Sequence, residues 1–177
     1  TYDGHRGTDF FTWPFGIQRL ENDDAVVVAA ASGNLVGKSD GAADRNCVPL
    51  SIQPQPPANY VAILHDDGTY GYYLHLKSGS LTTKAIGSRV IAGERLGIVA
   101  SSGLSTGPHL HFEIRGADGT TIDPFSGACD SSPTLWKHQW NAASDFKLVQ
   151  ISTHDAAPQF ASCNTTTNSF TASDQPN

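Results

Sequence analysis

No methionine occurs in the 177 residues, and only 16% of them are charged, against about a quarter in an ordinary soluble domain. Without methionine the chain does not begin at its own initiator. Thr1 is therefore expected to be a processed or trimmed end, with any targeting peptide outside the sequence. Basic residues are few: 11 Lys and Arg stand against 17 Asp and Glu, a net charge of −6. That balance excludes the basic footprint of a nucleic-acid binder and a polycationic grip on acidic surfaces. Long apolar runs are missing too. The longest, Ala25–Ala31, falls well short of the roughly 18 residues of a membrane span, so no span is expected. Cysteine is sparse: Cys47, Cys129 and Cys163 allow one disulfide and leave one thiol over, and no two form a Cys-x-x-Cys motif. With abundant Gly, Ser, Thr, Asn and Asp, this usage fits an exported protein carrying one structural bridge.

The length is ample for one buried core and an appendage. Residues 1–125 read as short strands separated by turns. Ala25–Ala31 is a buried-strand run, and Gly33 turns the chain into Asn34–Lys38. Tyr60–His65 and Tyr70–Leu76 flank Asp66-Asp67-Gly68 as a hairpin. Arg89–Ile91, Arg95–Ala100 and His109–Arg115 complete the set, and no segment keeps a helical period for long. The expected fold is mainly β, an antiparallel β-sheet sandwich or partly open barrel. Between Gly37 and Tyr60, Pro49, Pro54, Pro56 and Pro57 rule out a central strand and predict an ordered surface loop. From Ser126 the character changes. Leu135, Trp136 and Trp140 fit one face of a short helix, and 145–151 an edge strand or helix. Residues 163–177 read as a linker or the start of a further domain. The expected division is 1–125 as one folded domain and 126–177 as a C-terminal extension or a linker to a further domain.

Chemistry concentrates in the histidines, of which there are seven. In His109-Leu110-His111-Phe112-Glu113-Ile114-Arg115, strand alternation turns Leu110, Phe112 and Ile114 to a core and His109, His111 and Glu113 to the other face. Two imidazoles on one strand face can converge on a divalent metal, zinc being the usual one, or stand as two solvated surface histidines. His5-Arg6-Gly7-Thr8-Asp9 pairs a His with a carboxylate, both good zinc donors. Gly4 and Gly7 there argue for a tight bend rather than a helix. In Tyr72-Tyr73-Leu74-His75-Leu76, alternation sets His75 opposite Tyr72, Leu74 and Leu76. The ordinary reading of His75 is a buried, hydrogen-bonded histidine.

Taken in order, His5-x-x-x-Asp9, Tyr-x-His75 and Ser105-Thr106-Gly107-Pro108-His109-Leu110-His111-Phe112-Glu113 resemble the lysostaphin-type (LytM-like) zinc endopeptidases. Gly87 to Glu94 and Asp123-Pro124 match the same pattern, so the resemblance runs from Gly4 to about Phe125. It implies a Zn2+ held by His5, Asp9 and His111 with a fourth position left for water. It further implies that His75 and His109 orient or deprotonate that water and stabilise the oxyanion. The implied activity is hydrolysis of peptide bonds in bacterial peptidoglycan cross-links, by a monomer in the cell envelope, secreted or periplasmic. Relatives often carry an inhibitory prosegment, and its removal before Thr1 is expected. Two alternatives stand beside this reading: a broad extracellular metalloprotease on Gly-rich proteins, and a non-catalytic module that binds wall or activates an amidase. The net negative charge departs from the basic wall-lytic members.

Smaller expectations complete the reading. Glu113 is expected as a solvated strand-end carboxylate, with support of the metal ligands as the alternative. His65 is expected at the surface or behind the ligands. Trp13, Phe15, Tyr72 and Tyr73 are read as core and rim, or else as groove walls. Cys47 with Cys129, or Cys129 with Cys163, would tie an extension to the barrel.

Overall fold

Alternating apolar side chains and Gly- or Asp-rich turns give short strands throughout the computed structural model, which describes residues 4–46, 51, 53–127 and 131–139. In chain order the elements are β1 (Thr8–Phe11), α1 (Gly16–Asn22), β2 (Val26–Val28), β3 (Gly33–Ser39), β4 (Tyr60–His65), β5 (Tyr70–Leu74), β6 (Arg89–Val90), β7 (Arg95–Ile98), β8 (His109–Arg115) and β9 (Thr121–Ile122). The large sheet runs β1-β8-β5-β4-β3-β6, with β9 also on β8; β2 and β7 form a small second sheet. Every pairing within these sheets is antiparallel. The large sheet is open, ending at β1 on one side and β6 on the other, so it closes no barrel among the described residues.

The β4–β5 hairpin forms as its sequence demands. Asp67 Oδ1 accepts from Thr69 N at 2.9 Å and from Thr69 Oγ1 at 2.7 Å, while Gly68 takes a φ of +86°. Val61 and Ile63 of β4, Tyr73 of β5 and Phe112 and Ile114 of β8 share the inward face and are buried, as are Leu35 and Leu96. Each such side chain contributes roughly 1.5–3 kcal/mol of burial. Tyr73 is core, not groove wall. Its ring lies 5.1 Å from that of Phe112, and its hydroxyl accepts from Ala30 N at 2.8 Å, tying the large sheet to the chain just beyond β2. Burial pushes the Tyr73 pKa up to about 12.

Three features depart from expectation. Helix α1 interrupts an otherwise all-β reading; it is 7 residues long and buries only Leu20, too little for a readable period. Its end is fixed from outside, because Lys77 Nζ donates to Leu20 O at 3.1 Å and pairs with Asp23. Strands β1 and β9, neither anticipated, are short and paired to β8. His75 follows β5 with a φ of +64°, so alternation does not set its direction.

The chain divides into two units, Thr1–Ile122 and Asp123–Asn177. In the second, Leu135 N donates to Pro124 O at 3.0 Å, and the described residues 131–139 hold no helix. Trp140, residues 145–151 and 163–177, and all three cysteines lie outside the described residues, and with them any disulfide. No helix among the described residues is long and apolar enough to cross a membrane.

Candidate metal centre

The register of β8 assembles the site. Asp9 of β1 and Leu74 of β5 stand opposite His111, Phe11 opposite His109, and Tyr72 opposite Glu113. Directly opposed residues of antiparallel strands project to one face, with Cβ atoms about 4.5–5.5 Å apart. Asp9, His109, His111 and Glu113 therefore meet on the face away from the core. His5 reaches them from the segment before β1, which lies close on β8 because residue 7 is glycine. A Cβ there would stand 2.5 Å from Phe112 O and 2.8 Å from the His111 ring.

Three donor atoms converge. His5 Nε2 is 3.1 Å from Asp9 Oδ1 and 3.1 Å from His111 Nδ1, and the last two are 3.0 Å apart. Among the described residues this is the group of His, Cys, Asp and Glu side chains close enough to hold a metal. A tetrahedral ion with bonds of about 2.0–2.1 Å separates its ligand atoms by about 3.3–3.4 Å. The observed triangle, of two imidazole nitrogens and a carboxylate oxygen, fits that geometry and the donor preference of zinc.

Two further imidazoles border the triangle. The His75 and His109 rings lie 4.6 Å apart, and His75 is 5.9 Å from His111. His109 Nε2 stands 3.6 Å from Asp9 Oδ1. Both rings are held in one tautomer. His75 Nδ1 donates to Ser102 O at 2.6 Å and His109 Nδ1 to Gly107 O at 2.7 Å, since a carbonyl can only accept. Each Nε2 is thus left as a proton acceptor. Burial, helped by the neighbouring His109 imidazole, lowers the His75 pKa to about 4, so its ring is neutral near pH 7.

The strained backbone at His75 is supported from below. Ala100 N donates to its carbonyl at 2.8 Å. Ser102 Oγ and Asn59 Nδ2 both donate to Leu76 O, at 2.8 and 2.9 Å, and Asn59 is fully buried. Sequence reasoning missed Asn59 and Ser102, which carry no motif of their own. It also missed Phe11, 68% exposed with its ring 5.3 Å from that of His109. Trp13 is 78% exposed.

Glu113 is not the solvated carboxylate expected of it. It is 3% exposed and accepts from Arg115 Nε at 2.8 Å and Arg115 Nη2 at 2.9 Å, with Oε2 3.7 Å from His111 Nε2. His65 is not at the surface either. It is buried at the β4–β5 turn, where its Nδ1 donates to Thr69 Oγ1 at 3.0 Å, and burial lowers its pKa.

Comparison with known proteins finds relatives of the chain. The chain is 34% identical over 110 residues to the peptidoglycan DD-endopeptidase ShyA of Vibrio cholerae, covering 62% of this chain and 20% of that protein. It is 44% identical over 70 residues to the DD-carboxypeptidase/endopeptidase Mpg of Neisseria meningitidis, covering 40% of this chain and 15% of the other. It therefore spans no more than about a quarter of the length of the first curated relatives it matches. Among solved structures, the catalytic domain of lysostaphin from Staphylococcus simulans aligns with a TM-score of 0.46 at 27% identity, over 68% of this chain and 75% of that one. Residues 4–124 match the model of peptidase family M23, a stretch that takes in His5, Asp9, His75, His109 and His111, and the chain belongs to that family.

Proposed function

We propose that this chain is a zinc-dependent endopeptidase that hydrolyses peptide bonds in bacterial peptidoglycan cross-links, outside the cytoplasm, in secreted or periplasmic form. The observation that carries the reading is the triangle of His5 Nε2, Asp9 Oδ1 and His111 Nδ1, bordered by two imidazoles held as proton acceptors. His5, Asp9 and His111 are the metal ligands in this reading, and residues 1–125 are the catalytic domain, with 126–177 an extension. The names of the relatives, peptidoglycan DD-endopeptidase among them, support the substrate class.

Zinc, when bound, supplies Lewis-acid chemistry: it polarises a carbonyl and makes water acidic enough to attack near neutral pH. The protein supplies the rest. His109 takes up the one proton at Nε2 as water attacks, and the same nitrogen returns it to the leaving amine, while His75, the weaker base, accepts a hydrogen bond from the water and orients it. Their Nδ1 bonds to Ser102 O and Gly107 O keep each ring oriented through both steps. A protonated Nε2 also stabilises the negative charge that develops on the substrate oxygen. The exposed ring of Phe11 offers apolar contact to an extended peptide beside His109.

The test pairs elemental analysis with an assay on purified peptidoglycan. About one zinc per chain, and release of new amino groups that a chelator stops and zinc restores, is the expected outcome. Preferential release from gelatin would reassign the substrate. A fully remetallated protein that binds zinc but cleaves neither would favour a binding module, and one that takes up no zinc would remove the site.

A further inference from the structure

Glu113 has work that the reaction described above does not use. It lies on the metal-site face of β8, two places after His111, yet it is buried instead of reaching solvent. Burying a carboxylate is costly unless it is paired and hydrogen-bonded. Here the guanidinium of Arg115 binds both its oxygens, with Thr121 Oγ1 a further donor at 3.5 Å. Arg115 in turn lies 4.5 Å over the ring of Tyr72, the residue opposite Glu113 on β5. The carboxylate is thus held by Arg115 of its own strand and Thr121 of β9, and Arg115 is backed by Tyr72 of β5. Its Oε2 is held 3.7 Å from His111 Nε2, a charge facing that ring nitrogen rather than a closed hydrogen bond.

The other nitrogen of that ring is the one in the triangle. His111 Nδ1 can offer a lone pair to a metal only when the ring's single proton sits on Nε2. A negative charge beside Nε2 stabilises that tautomer and makes Nδ1 a better donor. Resting on the zinc reading above, we propose that Glu113 is a positioning residue for metal binding. Held by Arg115, it keeps the His111 proton on Nε2 and directs Nδ1 to the ion. Buried and held by Arg115, it acts through His111.

The test is a zinc titration of the metal-free full chain against a competing chelator, for the wild type and Glu113→Gln. Glutamine keeps the shape and an acceptor for Arg115 but removes the charge. Zinc affinity should fall about 10- to 100-fold in Glu113→Gln at a temperature where the circular dichroism of both metal-free proteins is that of the folded chain. Equal affinities would overturn the role of Glu113 and leave the zinc reading standing; a wild type that binds no zinc would overturn the zinc reading, and the proposal with it. If Glu113→Gln does not fold, proton NMR of the zinc-loaded wild type decides. A downfield His111 Nε2–H that exchanges slowly with water supports the proposal, and one that exchanges as fast as the ring proton of exposed His138 overturns it.

Discussion

His75 takes a φ of +64°, a region in which a non-glycine residue costs of order 1–3 kcal/mol unless its surroundings hold it there. Here Ala100 N holds its carbonyl and Ser102 O its ring, so the acceptor nitrogen is set before any substrate arrives. Division of labour among the imidazoles can be read by truncation. His111→Ala removes a corner of the triangle and should abolish both zinc retention, by elemental analysis, and hydrolysis. His109→Ala leaves the triangle intact and should keep the metal while kcat falls about 10²- to 10⁴-fold. Full activity in His109→Ala would sink its assignment as a proton carrier.

At the level of elements, the hairpin of β4 and β5 and the alternation of β8 were legible, because each is a local pattern: apolar period two, an Asp-Asp-Gly turn, His at alternate positions. That His109, His111 and Glu113 share a face followed from the same alternation. What the pattern did not carry is pairing. β1 is only 4 residues, and its place beside β8 depends on Gly7 admitting the close approach of two backbones. Glu113 looked solvated because Tyr72, whose ring supports its partner Arg115, is brought opposite it only by the β5–β8 register. The hairpin also carries a pH dependence. His65 Nδ1 donates to Thr69 Oγ1, whose own proton goes to Asp67, and Nε2 is buried without a partner. Protonation would therefore bury an uncompensated charge, and the folded pKa lies below the ordinary 6.5. The unfolded chain binds the proton more readily, so stability is full above about pH 6.5 and falls as pH drops toward the folded value. Thermal melts at about pH 7 and about pH 5 should show that loss, and the loss should be smaller in His65→Asn. An identical pH dependence in the two proteins would remove His65 as its source.

The 177 residues carry a net charge of −6, so on the proposed substrate their long-range field would repel anionic wall polymers instead of drawing the chain to them. Added salt shortens the reach of that repulsion, to about 8 Å at physiological ionic strength. Hydrolysis of whole sacculi should therefore hold or rise as salt increases from low levels, where a basic enzyme would slow. A turbidity assay across a salt series checks this, and a steep decline would overturn the repulsion.

The sheet order has one more consequence. His5 and Asp9 belong to the amino-terminal margin of the large sheet, where β1 has, among the described residues, a single neighbour, β8, and His111 lies on that neighbour. An ion shared between them would act as a buckle, fastening the outermost ribbon of the sheet to its interior. Chelation would then do more than stop chemistry. Amide hydrogens of 8–11 should begin to exchange sooner than those of β4 and β5, and binding energy spent on zinc would return as resistance of this margin to fraying and proteolysis.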